Sequence, residues 1–525
     1  MRRREVLLVV LLLATVHILL WSRSIPLPYQ DLSFYFEPAI LLASQGWLAG
    51  PGSHWQDLTY VRGMYFYPPG FSLILGGWIE LFGTSARSLL AYTHVVHTAY
   101  LTVLWLTLRA RLRCSPPVSA LVLFSAFPMF GHGRPDLTAL LLGALAWLTL
   151  PTGPDPDNSK FKTHNSQFRL LVSGALLGAA VLTSPPFGIS SAVAIGLYFL
   201  VAADDPPRVR WARFGLLTGA ALLVFAGSWA LVLTWQDAWR FGLEQFAVNS
   251  SIRAAELNTF PQPSLYLVAF SLIPLGLLTL LPLLVTLLTP EGRADRRLVR
   301  TAVAYVGGFI AWFVLSKAPL LTGAHHSYLA RPLLHGALAS ARGWLGRLGM
   351  VALLGFSVVH WYHQKDNLLG LSQGYAAVQA EAAAIQLPAD AIVALDSDAF
   401  PHLYQEGRSV TFELMGFDYW ERSLEETSPQ TMAELGLETC RGPVIPDLVV
   451  ASARSLMIFG PPDPGLFVPV EGRPPDIEPA RLLGRPVRFP REPGRLYLYR
   501  RRPEIERQSG GETSDCHLLP AVPPP

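Results

Sequence analysis

The chain has 525 residues, 51% of them hydrophobic and only 15% charged, and its mean hydropathy is positive. A soluble domain carries nearer a quarter charged residues, so this balance excludes an ordinary soluble enzyme and indicates a polytopic membrane protein. The net charge of +3 is too small for a nucleic-acid binder, and three scattered cysteines (Cys114, Cys440, Cys516) give neither a disulfide framework nor a zinc spacing.

Met1-Arg2-Arg3-Arg4 precedes an apolar run to Trp21. It reads as an uncleaved first helix rather than a signal peptide, because Ser22-Arg23-Ser24 is a poor cleavage site. Apolar runs predict about eleven spans, near 6–22, 86–108, 117–131, 137–150, 170–184, 188–203, 212–234, 264–288, 300–316, 328–342 and 344–362. The run 68–83 has only 16 residues and includes Pro68-Pro69, Gly70 and Glu80. It is short for a crossing and is expected along the outer interface. Loop charge tests the scheme. The Arg-rich loops 109–113, 208–213 and 291–300 all fall on the cytoplasmic side only if 68–83 does not cross. That parity puts the N-terminus in the cytoplasm and brings Asp31 and Asp136 to one outer face.

The composition changes near residue 365. Gln373 to Gln386 has helical spacing, Ala391–Leu395 and Pro443–Ala451 contain strands, and Arg495–Arg500 is a late strand. The expected organisation is mainly α: a membrane domain over 1–364, a small extracytoplasmic α/β domain over 365–500, and a disordered tail over 501–525. There is no internal repeat, P-loop, dinucleotide fingerprint or nucleophile elbow.

The residues that could carry chemistry cluster at predicted outer loops. Asp31 is either a general base or the N-cap of a helix starting near Leu32. Asp136, in Gly131-His132-Gly133-Arg134-Pro135-Asp136, is either a first-turn acid meeting the helix dipole or a second acid facing the same cleft. In the second case it binds a metal or the acceptor, or holds Arg134 towards a phosphate. Glu37 is six residues after Asp31, about 240° round a helix, so the two acids do not share a face. Tyr67-Pro68-Pro69-Gly70 is a helix-start signal, and Arg62 in the same segment could meet an anion. His325, His326 and Arg331 gather at the outer end of the tenth span. Arg331 either snorkels to the interface or offers its planar fork to a phosphate. His94 and His97 share a helix face and suggest polar packing rather than a ligand pair. No divalent metal is indicated.

Asp31, Ala39-Ile40-Leu41-Leu42-Ala43-Ser44-Gln45-Gly46, Tyr67-Pro68-Pro69-Gly70-Phe71, Leu81-Phe82-Gly83 and the Gly131–Asp136 stretch form a pattern. It resembles the polytopic GT-C glycosyltransferases of bacteria, relatives of the protein O-mannosyltransferases and of the lipid A aminoarabinose and galacturonic acid transferases. The resemblance covers about residues 1–365 and is clearest over 1–200. It implies juxtamembrane helices in the first outer loop, a polyprenyl-phosphate-linked sugar as donor, and transfer at the outer face of the inner membrane. It also implies that Asp31 is the catalytic base and that Asp136 is the second-loop acid. Leu32 stands where several members carry a second acid, and Tyr67-Pro68 replaces a Lys-Pro pair of the aminoarabinose branch. That branch's sugar and acceptor are therefore not carried over. The expected activity is an inverting hexosyl or pentosyl transfer to an envelope lipid, glycan or protein. The rivals are a flippase of lipid-linked sugars and an envelope protein that only binds glycan.

Overall fold

The computed structural model describes residues 3–26, 32–48, 69–129, 133–151, 161–202, 206–239, 242–244, 273–316, 330–363, 376–406, 408–411, 446–471, 476–482 and 485–505. The first helix is α1 (Arg3–Ser22). Two shorter helices follow, α2 (Leu32–Gln45) and α3 (Gly70–Phe82). Then come α4 (Ala86–Ala110), α5 (Pro116–Ala126), α6 (Pro135–Thr149), α7 (Phe161–Thr183), α8 (Pro185–Ala202) and α9 (Pro207–Trp235). The last membrane elements are α10 (Ile273–Leu288), the short α11 (Pro290–Ala294), α12 (Arg296–Ser316), α13 (Ala330–Ala339) and α14 (Gly343–His363). Every expected span thus contains a helix.

By length and composition, five of these can cross a membrane: α1, α4, the 166–183 part of α7, α9 and the 343–362 part of α14. Length alone does not set α3 apart, because its 13 residues outnumber the ten of α13. Every residue of α13 is buried within the protein, so it need not match a lipid thickness.

What orders the bundle is where the arginines end up. Arg109 pairs with Glu5 on α1 at 2.6 Å and also donates to the Cys114 carbonyl. Arg111 reaches the Leu148 carbonyl, and Arg169 reaches the Thr149 carbonyl at 3.0 Å. Arg297 donates to the carbonyls of Leu112 and Ser340. Arg210 donates to the Leu200 carbonyl at 3.2 Å, and Tyr198 feels the charges of Arg300, Arg111 and Arg297. The three Arg-rich loops therefore gather on one face, where guanidinium groups satisfy carbonyls left over at helix ends. From Asp136 to Leu148 α6 rises roughly 18 Å, so Asp136 lies at the other end.

Small residues let helices approach. A Cβ at Gly178 of α7 would lie 2.3 Å from the Ala221 carbonyl oxygen of α9, and one at Gly174 would lie equally close to that of Leu217. The pair forms a small-xxx-small contact.

The C-terminal unit contains α15 (Ala376–Ala384), β1 (Val393–Leu395), α16 (Phe400–Leu403), β2 (Ser409–Thr411), β3 (Leu448–Ser452) and α17 (Ala453–Phe459). It ends with β4 (Phe467–Pro469), β5 (Pro479–Leu482), β6 (Arg485–Pro490) and β7 (Leu496–Arg501). Its five-stranded sheet has the order β2-β1-β3-β7-β4, and β5 pairs with β6. β1 runs parallel to β2 and β3, whereas β7 is antiparallel to β3 and β4. The expected helix and strands each overlap one of these elements, and the last strand takes in Arg501, the first residue assigned to the tail. Alternation along β1 sends Val393 and Leu395 into the same apolar cluster as Leu32, Phe36 and Phe71, while Ala394 joins a smaller cluster with Val449 and Tyr499. The membrane part and the C-terminal unit share one core.

Candidate functional site: the Asp136 corner

Asp136 is the second residue of α6, after Pro135 in the first helical turn. Arg134 Nε donates to its Oδ2 at 2.6 Å, and Ser184 Oγ donates to its Oδ1 at 3.0 Å. The Arg134 and Asp136 side chains are 23% and 16% exposed, so the pair is wet at one edge. Ser184 stands between α7 and α8, at the end of its helix remote from Arg169.

Two close approaches build the rest of the corner. Gly70 begins α3 and lies on the turn that carries Ser184. A Cβ there would sit 2.7 Å from the Leu182 carbonyl and 2.8 Å from the Thr183 nitrogen. Gly133 has φ +96°, and a Cβ on it would meet the Leu32 side chain at 2.8 Å. Leu32 is the first residue of α2 and follows Asp31 directly. Tyr92 of α4 and Thr138 of α6 share a hydrogen bond of 2.8 Å. The starts of α2, α3 and α6 and the α7–α8 turn therefore converge on Asp136. Gly133→Ala is expected to lower the unfolding free energy of the purified protein by about 1–2 kcal/mol, because the backbone is strained and Leu32 must move. Thermal unfolding measures it.

Glu37, one turn further along α2, is 1% exposed. Tyr404, just past α16, donates its phenolic hydroxyl to Glu37 Oε1 over a long 3.5 Å. At the end of α2, Gln45 donates to Glu406. The C-terminal unit thus lies over α2, and Glu37 sits under that cover.

The architecture was compared with known proteins. The solved structure of ArnT from Cupriavidus metallidurans in the apo state is similar at a TM-score of 0.51 and 16% identity, over 93% of this chain and 97% of that one. The chain has an ArnT-like fold. ArnT bound to undecaprenyl phosphate gives 0.49 at 15% identity with the same coverage. The Archaeoglobus fulgidus oligosaccharyltransferase in the apo form gives 0.47 at 10% identity, over 87% of this chain and 70% of that one. No family model and no curated protein sequence matches.

Within this ArnT-like fold the expected site residues separate. Asp136 and Arg134 are together, and Glu37 lies on α2 against Tyr404. Arg331 lines a different cleft, between α5, α13 and α14, with His335, Phe356 and His360. Its guanidinium stands 5.2 Å from the centre of the Phe356 ring. That cleft has room for about one water molecule. Asp31, Arg62, Tyr67, His325 and His326 lie outside the described residues.

Three residues went unmarked in the sequence. Ser184 carried a signal, the Ser-Pro-Pro at a predicted outer turn. Tyr404 carried none. His17, inside an apolar span, packs with the expected His94 and His97 pair. Its Nδ1 is 2.9 Å from His94 Nδ1, and His94 Nε2 is 2.8 Å from the Ile25 carbonyl oxygen. A carbonyl only accepts, so His94 donates through Nε2 and His17 donates to His94. Among the described residues, no three His, Cys, Asp or Glu are arranged to hold a metal ion.

The C-terminal unit has its own polar knot, where β1 and β3 end. Asp396 accepts from the backbone N–H groups of Ala399 and Ser452, each at 2.7 Å. Asp398 is fully buried and accepts from Ser452 Oγ at 2.7 Å and from Arg454 at 2.6 and 3.1 Å. Burial pushes its carboxyl up to about 6 against the downward pull of Arg454. The knot fixes the turn that leads from β1 into α16, and so into Tyr404.

Proposed function

We propose that the protein is a membrane glycosyltransferase of the bacterial inner membrane, with the Asp136 corner as its reaction site. The N-terminus is cytoplasmic, and the C-terminal unit covers the site from outside. The donor is a polyprenyl-phosphate-linked sugar, and the acceptor is an envelope lipid, glycan or protein. The observation that carries this is the convergence on Asp136 of four chain segments in a GT-C fold.

The chemistry follows from the residue types. Asp31 takes the proton from an acceptor hydroxyl as its oxygen attacks the sugar C1. The bond from C1 to the phosphate oxygen breaks from the opposite side, so the anomeric configuration inverts. The electron pair leaves on the polyprenyl phosphate, a good leaving group that needs no strong general acid. A glycosidase, by contrast, uses two carboxyl groups flanking the bond. Asp136 holds Arg134 by its Nε edge. Arg134 thereby meets the charge that develops on the leaving phosphate. Arg134 is better placed for this than Arg331, whose cleft is separate.

The test is mass spectrometry of envelope glycolipids, glycans and glycoproteins in cells with and without the gene. The expected result is loss of a one-sugar increment, restored by the native protein and not by Asp136→Asn. Unchanged glycans together with a changed sidedness of lipid-linked sugar would instead identify a flippase.

A further inference from the structure

α2 is held at three points along its length. At its start, Leu32 covers Gly133, three residues before Asp136. In its second turn, the buried Glu37 receives the Tyr404 hydroxyl. At its end, Gln45 meets Glu406. Two of the three holds come from the C-terminal unit. Pro38 follows Glu37 and lies inside the helix. It has no N–H for the carbonyl four residues earlier, so the first turn of α2 is weakly tied to the rest of its own helix. Side-chain contacts must fix that turn. On the C-terminal side the holds are firm. Phe400 is 1% exposed and packs at a tilt against Tyr404, with ring centres 4.6 Å apart, and the Asp396–Asp398 knot sets the turn ahead of it.

We infer that Tyr404 and Glu37 are positioning residues, through which the C-terminal unit sets the first turn of α2 against the Gly133–Asp136 loop. The inference rests on reading the Asp136 corner as the transfer site. Neither residue need touch the sugar. Tyr404 acts on Glu37, Glu37 sets the turn, and the turn places Leu32 on Gly133. The effect should therefore fall on the rate of the chemical step and not on substrate capture, because a small displacement of reacting groups is costly in rate.

The test uses the full chain purified in detergent, with Tyr404→Phe, Glu37→Gln and the double variant. Tyr404→Phe keeps the ring and its packing and removes only the hydroxyl. Hydrogen exchange is followed by mass spectrometry. In Tyr404→Phe, amides of 32–37 and of 133–138 should exchange about fivefold faster, the size of one lost hydrogen bond, while α7 to α9 stay unchanged. The double variant should exchange no faster than the faster single variant, as expected when both act through one contact. A Tyr404→Phe protein that stays folded with unaltered exchange at 133–138 overturns the inference. Gln45→Ala, which releases the far end of α2, is the folding control: it should raise exchange at 39–45 and leave 32–37 and 133–138 unchanged, because Pro38 lies between.

The kinetic arm uses proteoliposomes containing the host's own envelope lipid extract as donor and acceptor. Tyr404→Phe should lower the saturated rate of the one-sugar increment by about tenfold and leave the half-saturating extract fraction within about twofold. A raised half-saturating fraction with an unchanged saturated rate overturns the inference and makes Tyr404 a binding contact. If native protein transfers no sugar yet the exchange coupling appears, the coupling stands and the transferase reading falls.

Discussion

Asp31→Asn should lower sugar transfer by about a thousandfold and Asp136→Asn by about a hundredfold, with both proteins still folded in the membrane. The first figure reflects removal of the base that takes the acceptor proton. The second follows from the contacts of Asp136. Its carboxylate accepts from two donors, Arg134 Nε through Oδ2 and Ser184 Oγ through Oδ1. An asparagine has one acceptor oxygen and one NH2 group, so it can satisfy one donor and must point its own donors at the other. It also removes the charge that holds Arg134. Product formation in membranes, read by mass spectrometry, decides both cases. Full activity in Asp31→Asn would remove it as the base and leave it as a helix cap. Full activity in Asp136→Asn would make the Arg134 contact structural.

Arg454→Met should cost about 3–5 kcal/mol of stability near pH 8, because it strands the buried Asp398. The pH dependence separates this mechanism from lost packing. Burial already raises the folded-state pKa of Asp398 to about 6, above its ordinary value of 3.8. The folded state therefore binds that proton more tightly than the unfolded chain. The stability from this group is fully present below about pH 4 and is lost as pH rises through about 6. Without Arg454 the folded value moves higher still, since its positive charge pulls it down. At pH 5 Asp398 is then mostly protonated in both proteins, and the variant should lose only the Arg454 hydrogen bonds to an uncharged carboxyl. The deficit should be small at pH 5 and large at pH 8, and Asp398→Asn on the Arg454→Met background should recover most of it. Thermal unfolding of the purified full chain at the two pH values checks this. An equal deficit at both would point to packing.

Much of the fold was legible because lipid imposes long apolar runs and arginines collect on one side. Each expected span holds a helix, and the Arg-rich loops that parity assigned to one side do gather on one face. Asp136 was legible from Arg134-Pro135-Asp136, since proline marks a helix start and the acid then falls in the first turn. Its partner Ser184 was not, because a serine in a Ser-Pro-Pro turn is usually only a cap. Glu37 illustrates a different limit. Helical rotation separated it from the face of Asp31, but nothing local shows that its neighbour is Tyr404, 367 residues away. His17 was hidden for the same reason: within its own helix it is one polar residue in an apolar run, and its partner His94 lies 77 residues on.

The shared core of the membrane part and the C-terminal unit has a consequence for how the protein is made. α2 is made early, directly after the first helix. Its cover, the α16 turn with Tyr404, is synthesised 367 residues later. At ordinary ribosomal speeds that interval is roughly 20–70 s. Until then Leu32, Phe36 and the carboxylate of Glu37 lack the C-terminal contacts that later help bury them. A nascent chain stalled between α14 and α16 has every helix through α14 and lacks the Tyr404 contact with Glu37. The cover of α2 is thus completed late in synthesis, by a segment far from it in sequence.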